Sequence, residues 1–222
     1  MEVLWFLKQR TRFLRQHYEE ASAPFRETIR KIEAGEDPYE PPYSEDGEPP
    51  FLEEWEDANT SLELLGASCI SILSESLKLY FLTWERELGI KCTDHFPDEF
   101  SRSKGKGFVH GYKTCFGHVL QSDWSDCPVN FELIEQVVLA RNAAQHPNDI
   151  TSLKLEHGHQ TLPFFLSEFE KQVLGKDEYG DFPWIGLTLV VTQDALIEAI
   201  EQVEMLGEWM EERLFDVKYG RR

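Results

Sequence analysis

The stretch from Asp57 to Leu88 constrains this chain most. Leu62, Leu65, Cys69, Ile72 and Leu79 fall on one helical stripe, while Ile70, Leu73, Leu77, Tyr80, Trp84 and Leu88 fall on a second. That periodicity specifies one long helix. A helix apolar on two faces sits at the centre of a bundle, or turns one face toward a second copy of the chain. Gly89 follows it and suits the left-handed turn that ends helices. With 222 residues, the chain is long enough for one domain with a sizeable core, so residues 1–222 are expected to form a single mainly α domain.

The flanking segments supply the other helices. Residues 2–34 carry Leu4, Leu7, Phe13, Leu14, Tyr18, Phe25 and Ile29 among charges. They predict one or two amphipathic helices with a break near Ala23–Pro24. The same segment is locally basic, which predicts a solvated helix surface or, as the sharper alternative, an RNA-backbone patch. Residues 35–50 are proline-rich and acidic and predict an exposed loop. Positions 33–64 contain twelve Asp or Glu and no Lys or Arg. Near the C-terminus, Thr192 predicts an N-cap with Asp194 in the first turn. The helix it starts runs to about Phe215, with Leu196, Ile200, Val203, Gly207, Met210 and Leu214 as its stripe. A basic tail of Lys218, Arg221 and Arg222 is expected to be disordered. Between them, residues 150–192 predict a small appended β-hairpin or two-stranded sheet, with strands at Ser152–Leu155 and Ile185–Val191. His157 and His159 in this insert are expected to lie in an exposed turn, not at a metal.

Charge and cysteine content bound the function. The net charge of −19 argues against a general nucleic-acid coat protein, but leaves room for an enzyme with a local basic cleft. Cys69, Cys92, Cys115 and Cys127 have no C-x-x-C spacing. With no secretory signal in view, they predict reduced, mostly buried thiols in a cytoplasmic protein. No run reaches the roughly 18 apolar residues of a membrane span, so no membrane partner is expected.

Two stretches carry candidate chemistry. Residues 101–122 lack any acid and hold Arg102, Lys104, Lys106 and Lys113, with glycines at 105, 107, 111 and 117. The plain expectation is an exposed glycine-rich loop. The sharper one is an RNA-binding wall, its cations on phosphates and Phe108, Tyr112 and Phe116 stacking on bases. The second stretch, Phe131 to Pro147, predicts a helix with Leu133, Val137, Ala140 and Ala144 buried, widened by Ile134 and Val138. Pro128 suits its start and Pro147 its end. Arg141, Asn142 and His146 therefore crowd into its last turn and a half. Asn142 and His146 share a face. Arg141 and His146 are five apart, roughly 140° around an ideal helix. A bent arginine, a swung histidine or a two-fold axis would bring them together. An Arg and a His in a last turn also simply favour the helix dipole. Together they suit acid–base chemistry on a phosphodiester, the guanidinium holding the phosphate and the imidazole moving the proton.

The run Arg141-Asn142-Ala143-Ala144-Gln145-His146 resembles the R-N-x-x-x-H motif of HEPN (higher eukaryotes and prokaryotes nucleotide-binding) domains. The resemblance covers this motif and the helical layout. It implies a helical bundle that dimerises, with both copies of the motif lining one cleft. It also implies a metal-independent endoribonuclease, often a toxin or anti-phage effector, with Arg141, Asn142 and His146 catalytic. RNA is then the substrate, an antitoxin or regulator the further partner, and no cofactor or metal is called for. The chain departs from the family at Asn148, where some HEPN toxins carry a tyrosine modified by their antitoxin. Two alternatives stay open. One is a non-catalytic HEPN-like module that binds a nucleotide or protein. The other is an acidic antitoxin or immunity protein.

Overall fold

The computed structural model describes residues 2–41, 49–101, 106–145, 155, 164–167, 170 and 188–220. Among them the chain is mainly helical. In order come α1 (Val3–Ala34), α2 (Leu52–Leu88), α3 (Cys92–His95), a 3₁₀ turn (Pro97–Phe100), α4 (Phe108–Leu120), α5 (Phe131–Gln145) and α6 (Gln193–Lys218).

The central helix is α2, which packs against α1, α5 and α6. Its second stripe is core, with Ile70, Leu73, Leu77, Tyr80 and Trp84 buried. The first stripe divides: Cys69 is buried, while Ile72 and Leu79 are exposed. One face of α2 therefore holds the bundle together and part of the other is open. By length and composition alone α2 could cross a membrane, with a window of mean hydropathy 1.3. Here just over half of that window is buried in the bundle. Gly89 takes φ 66° and donates its N–H back to Arg86, the left-handed end expected of it.

α6 follows its sequence closely. Thr192 caps it, its side chain accepting from Ala195 N, and the stripe from Leu196 to Leu214 is buried. Two carboxylates on α6, Glu204 half-buried and Glu211 buried, tie in α1 and α2. Glu204 accepts both Arg15 guanidinium nitrogens, at 2.8 and 3.1 Å, and the Thr11 hydroxyl. Glu211 accepts from Leu4 N at 3.2 Å and Trp84 Nε1 at 3.1 Å, with the Tyr80 hydroxyl 3.3 Å away.

Several expectations are corrected. α1 is a single helix with Pro24 inside it. Proline removes one backbone donor, but the turn before it keeps its packing, with Tyr18 and Ser22 buried, and Arg26 beyond it donates to Gln193 at 2.5 Å. The basic residues of α1 are largely used within the molecule: Lys8 pairs with Glu208, Arg15 with Glu204 and Arg30 with Glu27 and Glu36. That is the plain reading of the segment, a solvated helix surface whose cations pair locally. Lys218 belongs to α6 and pairs with Glu87, so it is not part of a disordered tail. Arg221 and Arg222 lie outside the described residues, as does most of the acidic loop centre. The four-thiol expectation fails: Cys92 and Cys115 form a disulfide, Cα atoms 5.6 Å apart, between the start of α3 and the middle of α4. Only Cys69 and Cys127 are free, and burial pushes the Cys69 thiol up to about 11.

The expected strands fall mostly outside the described residues, and no strand forms among those described. What is described there is Leu189 N donating to Leu155 O at 2.7 Å and Val190 N donating to Phe165 O at 2.9 Å. His157 and His159 also lie outside.

Candidate functional site

Of the basic, glycine-rich stretch 101–122, residues Phe108–Leu120 form a helix, α4, and not a loop. Its glycines serve packing. A Cβ on Gly111 would lie 2.5 Å from the Phe100 ring, and one on Gly117 would lie 2.8 Å from Trp124 Nε1. Neither neighbour has room to give, so glycine is required there for close approach rather than for binding. Tyr112 and Phe116 are buried against Phe81, with ring centroids 4.5 and 5.7 Å away. They cannot stack on bases, and Phe108 packs on the same cluster.

The cations of this stretch are also engaged. Lys106 Nζ lies 2.6 Å from Glu99 Oε1, and His110 Nε2 lies 2.7 Å from Glu99 Oε2. These bonds, Lys106 first, hold the Glu99 carboxyl below its ordinary value. Lys113 Nζ sits 4.0 Å from the centre of the Phe131 ring, a cation–π contact. Arg102 and Lys104 lie outside the described residues. Phe131 begins α5 and Arg141 stands ten residues on, roughly 15 Å along the axis at 1.5 Å per residue. Lys113 and Arg141 thus mark opposite ends of α5. An open groove of about 730 Å³ runs along α4 between His110, Lys113, His118 and Trp124, also removed from Arg141.

α5 forms as its pattern dictates. Asn130 caps it, Oδ1 accepting from Glu132 N at 3.0 Å and Leu133 N at 3.2 Å. Leu133, Ile134, Val137, Val138 and Ala140 are buried; Ala144 is only half-buried. The helix ends at Gln145, so Arg141 and Asn142 lie in its last turn and a half. His146 lies just beyond, outside the described residues. Its distance to Arg141 is therefore not part of the geometry.

What is described at this end is unlike α4. Arg141 Nη1 donates to Asn142 Oδ1 at 3.2 Å. Asn142 Nδ2 is buried and has no hydrogen-bond partner. Exchanging the amide N and O would set an NH₂ group against the guanidinium, so the bond to Arg141 fixes the assignment. A buried donor without a partner costs about 1–3 kcal/mol. Among the described residues the other orphan is Trp209 Nε1. That indole lies between the Trp124 ring at 4.7 Å and the Arg213 guanidinium at 4.0 Å.

Arg141 is about one-third exposed and reaches toward α2, its Nη2 4.0 Å from Glu75 Oε2. Lys78 Nζ lies 3.4 Å from the same carboxylate. Neither Glu75 nor Lys78 was singled out from sequence. The signal was present: between Glu63 and Glu85 they are the only charged residues. Two charges inside an otherwise apolar central helix mark where its neighbour turns polar.

Among the described residues no group of three or more His, Cys, Asp or Glu side chains is arranged to hold a metal ion. The chain matches no family model, no curated protein and no solved structure.

Proposed function

We propose that this protein is a metal-independent HEPN-type endoribonuclease, acting as a toxin or anti-phage effector in the cytoplasm. The observation that carries the proposal is at the end of α5. An accessible guanidinium stands beside a buried amide N–H that no described residue satisfies, at Asn142, four residues before His146 in sequence. Donors in excess of acceptors suit a phosphate, whose oxygens only accept.

In the proposed reaction the 2′-hydroxyl attacks the adjacent phosphorus. The bond to the 5′-oxygen breaks, leaving a 2′,3′-cyclic phosphate and a 5′-hydroxyl. His146 takes or returns the proton. Arg141 stabilises charge growing on the phosphoryl oxygens, and Asn142 orients the phosphate or His146. DNA lacks the attacking hydroxyl and is spared. The fold proposed around this site is a HEPN-like bundle with a small β-hairpin appended over 150–192.

A homodimer with a composite site is part of the proposal. Ile72 and Leu79 lie three residues before and four after Glu75, on the surface of α2. Both are exposed, as are Phe6 and Phe13 on α1. Apolar surface beside Arg141 is what a second copy would cover, and two copies would bring two histidines for the two proton transfers. The acidic run 33–64 is a docking surface for an antitoxin or regulator. The cytoplasmic assignment has one feature against it, the Cys92–Cys115 disulfide, since such bonds persist in oxidising compartments.

The test is purified protein with labelled RNA in EDTA. Cleavage to cyclic-phosphate ends that is lost in both Arg141→Ala and His146→Ala is expected. Intact RNA with the wild type removes the enzyme. The alternative is then a non-catalytic helical module for a nucleotide or protein, favoured by the exposed Trp5, Phe6 and Phe13 on α1. The acidic antitoxin or immunity protein rests on the net charge alone.

A further inference from the structure

We propose that Lys78 and Arg141 form a two-cation phosphate clamp at the α2–α5 junction, and that the Glu75 carboxylate occupies this clamp until RNA displaces it. Both cations approach one carboxylate, Lys78 Nζ at 3.4 Å and Arg141 Nη2 at 4.0 Å. Neither contact is tight. The Lys78 distance exceeds the 2.7–2.9 Å of a strong charged bond, and the side chains of Glu75 and Lys78 are 40% and 43% exposed. A loosely held carboxylate between two cations is a weak internal stand-in for a more highly charged anion.

The local sum supports this. Two cations against one carboxylate leave an excess positive charge in a chain of net −19. The buried Asn142 Nδ2, with no acceptor, belongs to the side chain bonded to Arg141. A phosphate offers more acceptor oxygens than Glu75, enough to serve both cations at once. Lys78 acts here as a point charge and Arg141 as the forked donor. Glu75 is a positioning residue that keeps the two cations converged while the site is empty of RNA.

The inference rests on the ribonuclease reading only for the identity of the anion, and the two separate experimentally. Binding is measured by fluorescence anisotropy on a fluorescein-labelled 2′-O-methyl RNA, which lacks the attacking hydroxyl, across a potassium chloride series. Lys78→Met is expected to weaken binding roughly tenfold and to reduce the salt slope by about 0.7, the loss of one phosphate contact on a single strand. Glu75→Gln is expected to tighten binding roughly threefold, because the internal competitor is gone. Both side chains are surface-accessible, and circular dichroism melts of each variant check that the fold survives. An unchanged affinity and slope in Lys78→Met, or weaker binding in Glu75→Gln, overturns the clamp. Should the wild type cleave RNA while Lys78→Met binds normally, the clamp fails and the ribonuclease stands. Should both variants shift as expected while no RNA is cleaved, the clamp stands and the ribonuclease fails. No binding by the wild type overturns the clamp.

Discussion

α4 and the last turn of α5 both look like binding sites in sequence, and the molecule uses them differently. On α4 and just before it the described cations have partners: Lys106 sits on Glu99 and Lys113 on the Phe131 ring. Its glycines admit Phe100 and Trp124, and its aromatics fill the core. At the end of α5 a guanidinium stays accessible and an amide N–H stays unsatisfied. Site-like composition therefore does not separate scaffold from site. Unspent hydrogen-bonding capacity beside an accessible cation is what the proposed site rests on; Trp209 Nε1, the other orphan among the described residues, belongs to an indole packed between the Trp124 ring and the Arg213 guanidinium.

The sharpest test of that contrast is catalytic. Arg141→Ala and His146→Ala are each expected to lower RNA cleavage roughly 10³-fold, about 4 kcal/mol of transition-state stabilisation. Arg141 is not a core side chain, so the melting temperature of Arg141→Ala should stay within about 2 °C of wild type. Lys113→Met, at the far end of α5, should leave the cleavage rate within about twofold. A larger loss there than at Arg141 would reverse the assignment of the two helices.

Removing the disulfide tests the other side. Cys92 and Cys115 are 23 residues apart, and closing a loop of that length stabilises by about 3 kcal/mol on chain-entropy grounds. Cys92→Ser should lower stability by about that much in urea unfolding, while cleavage per folded molecule stays unchanged. Loss of cleavage with full stability would mean that α3 and α4 belong to the site after all. Mass spectrometry after alkylation of the unfolded chain should find two free thiols, Cys69 and Cys127. Four would show that the purified protein is reduced.

How far this contrast was legible in sequence depends on period. α2, α5 and α6 were plain because their stripes recur at helical spacing, and Gly89 and Thr192 sit where a stop and a cap are needed. α4 was misread because its glycines suggested freedom, whereas each faces a ring contributed from outside the helix, Phe100 or Trp124. No local pattern announces such a contact. Proline at position 24 misled for the opposite reason: local chemistry disfavoured a continuous helix, and packing on α2 and α6 overrode it. That Arg141 and Asn142 fall near the end of an apolar helix was legible from its stripe and from Pro147. Glu75 was not, because its importance lies in what α5 brings to it across the bundle. The disulfide was missed because the cysteines lack a motif spacing, and the fold alone brings two of them together.

A smaller effect separates site from scaffold within one residue. Asn142→Leu removes the unsatisfied N–H and fills the same space. It should stabilise the protein by about 1 kcal/mol, a rise of about 2–4 °C in melting temperature for a chain of this size. Cleavage should fall at the same time, the trade expected where an unsatisfied group is kept for function. A destabilised Asn142→Leu would mean that the amide is structural and the contrast with α4 is lost.

The smallest effect repeats the contrast between two carboxylates on α6. Burial pushes Glu204 upward, yet the Arg15 guanidinium and Thr11 hydroxyl outweigh it, so its carboxyl titrates below the ordinary 4.5. Burial also raises Glu211, where the bonds from Leu4 N, Trp84 and Tyr80 only partly oppose it, and its carboxyl titrates above 4.5. The signs follow from proton linkage. Glu204 contributes stability that is full above 4.5 and is lost as pH falls through its folded value. Glu211 contributes stability that is full below 4.5 and is lost as pH rises through its folded value. Arg15→Leu should therefore cost at most about 1 kcal/mol at neutral pH, and that deficit should shrink in acid. Glu211→Gln, which mimics the protonated group, should gain on the wild type as pH rises from 4.5 toward 7. Urea midpoints measured from about pH 3.5 to 7 would resolve the two trends, and curves that move in the same direction would show that a charged partner is not what separates these two glutamates.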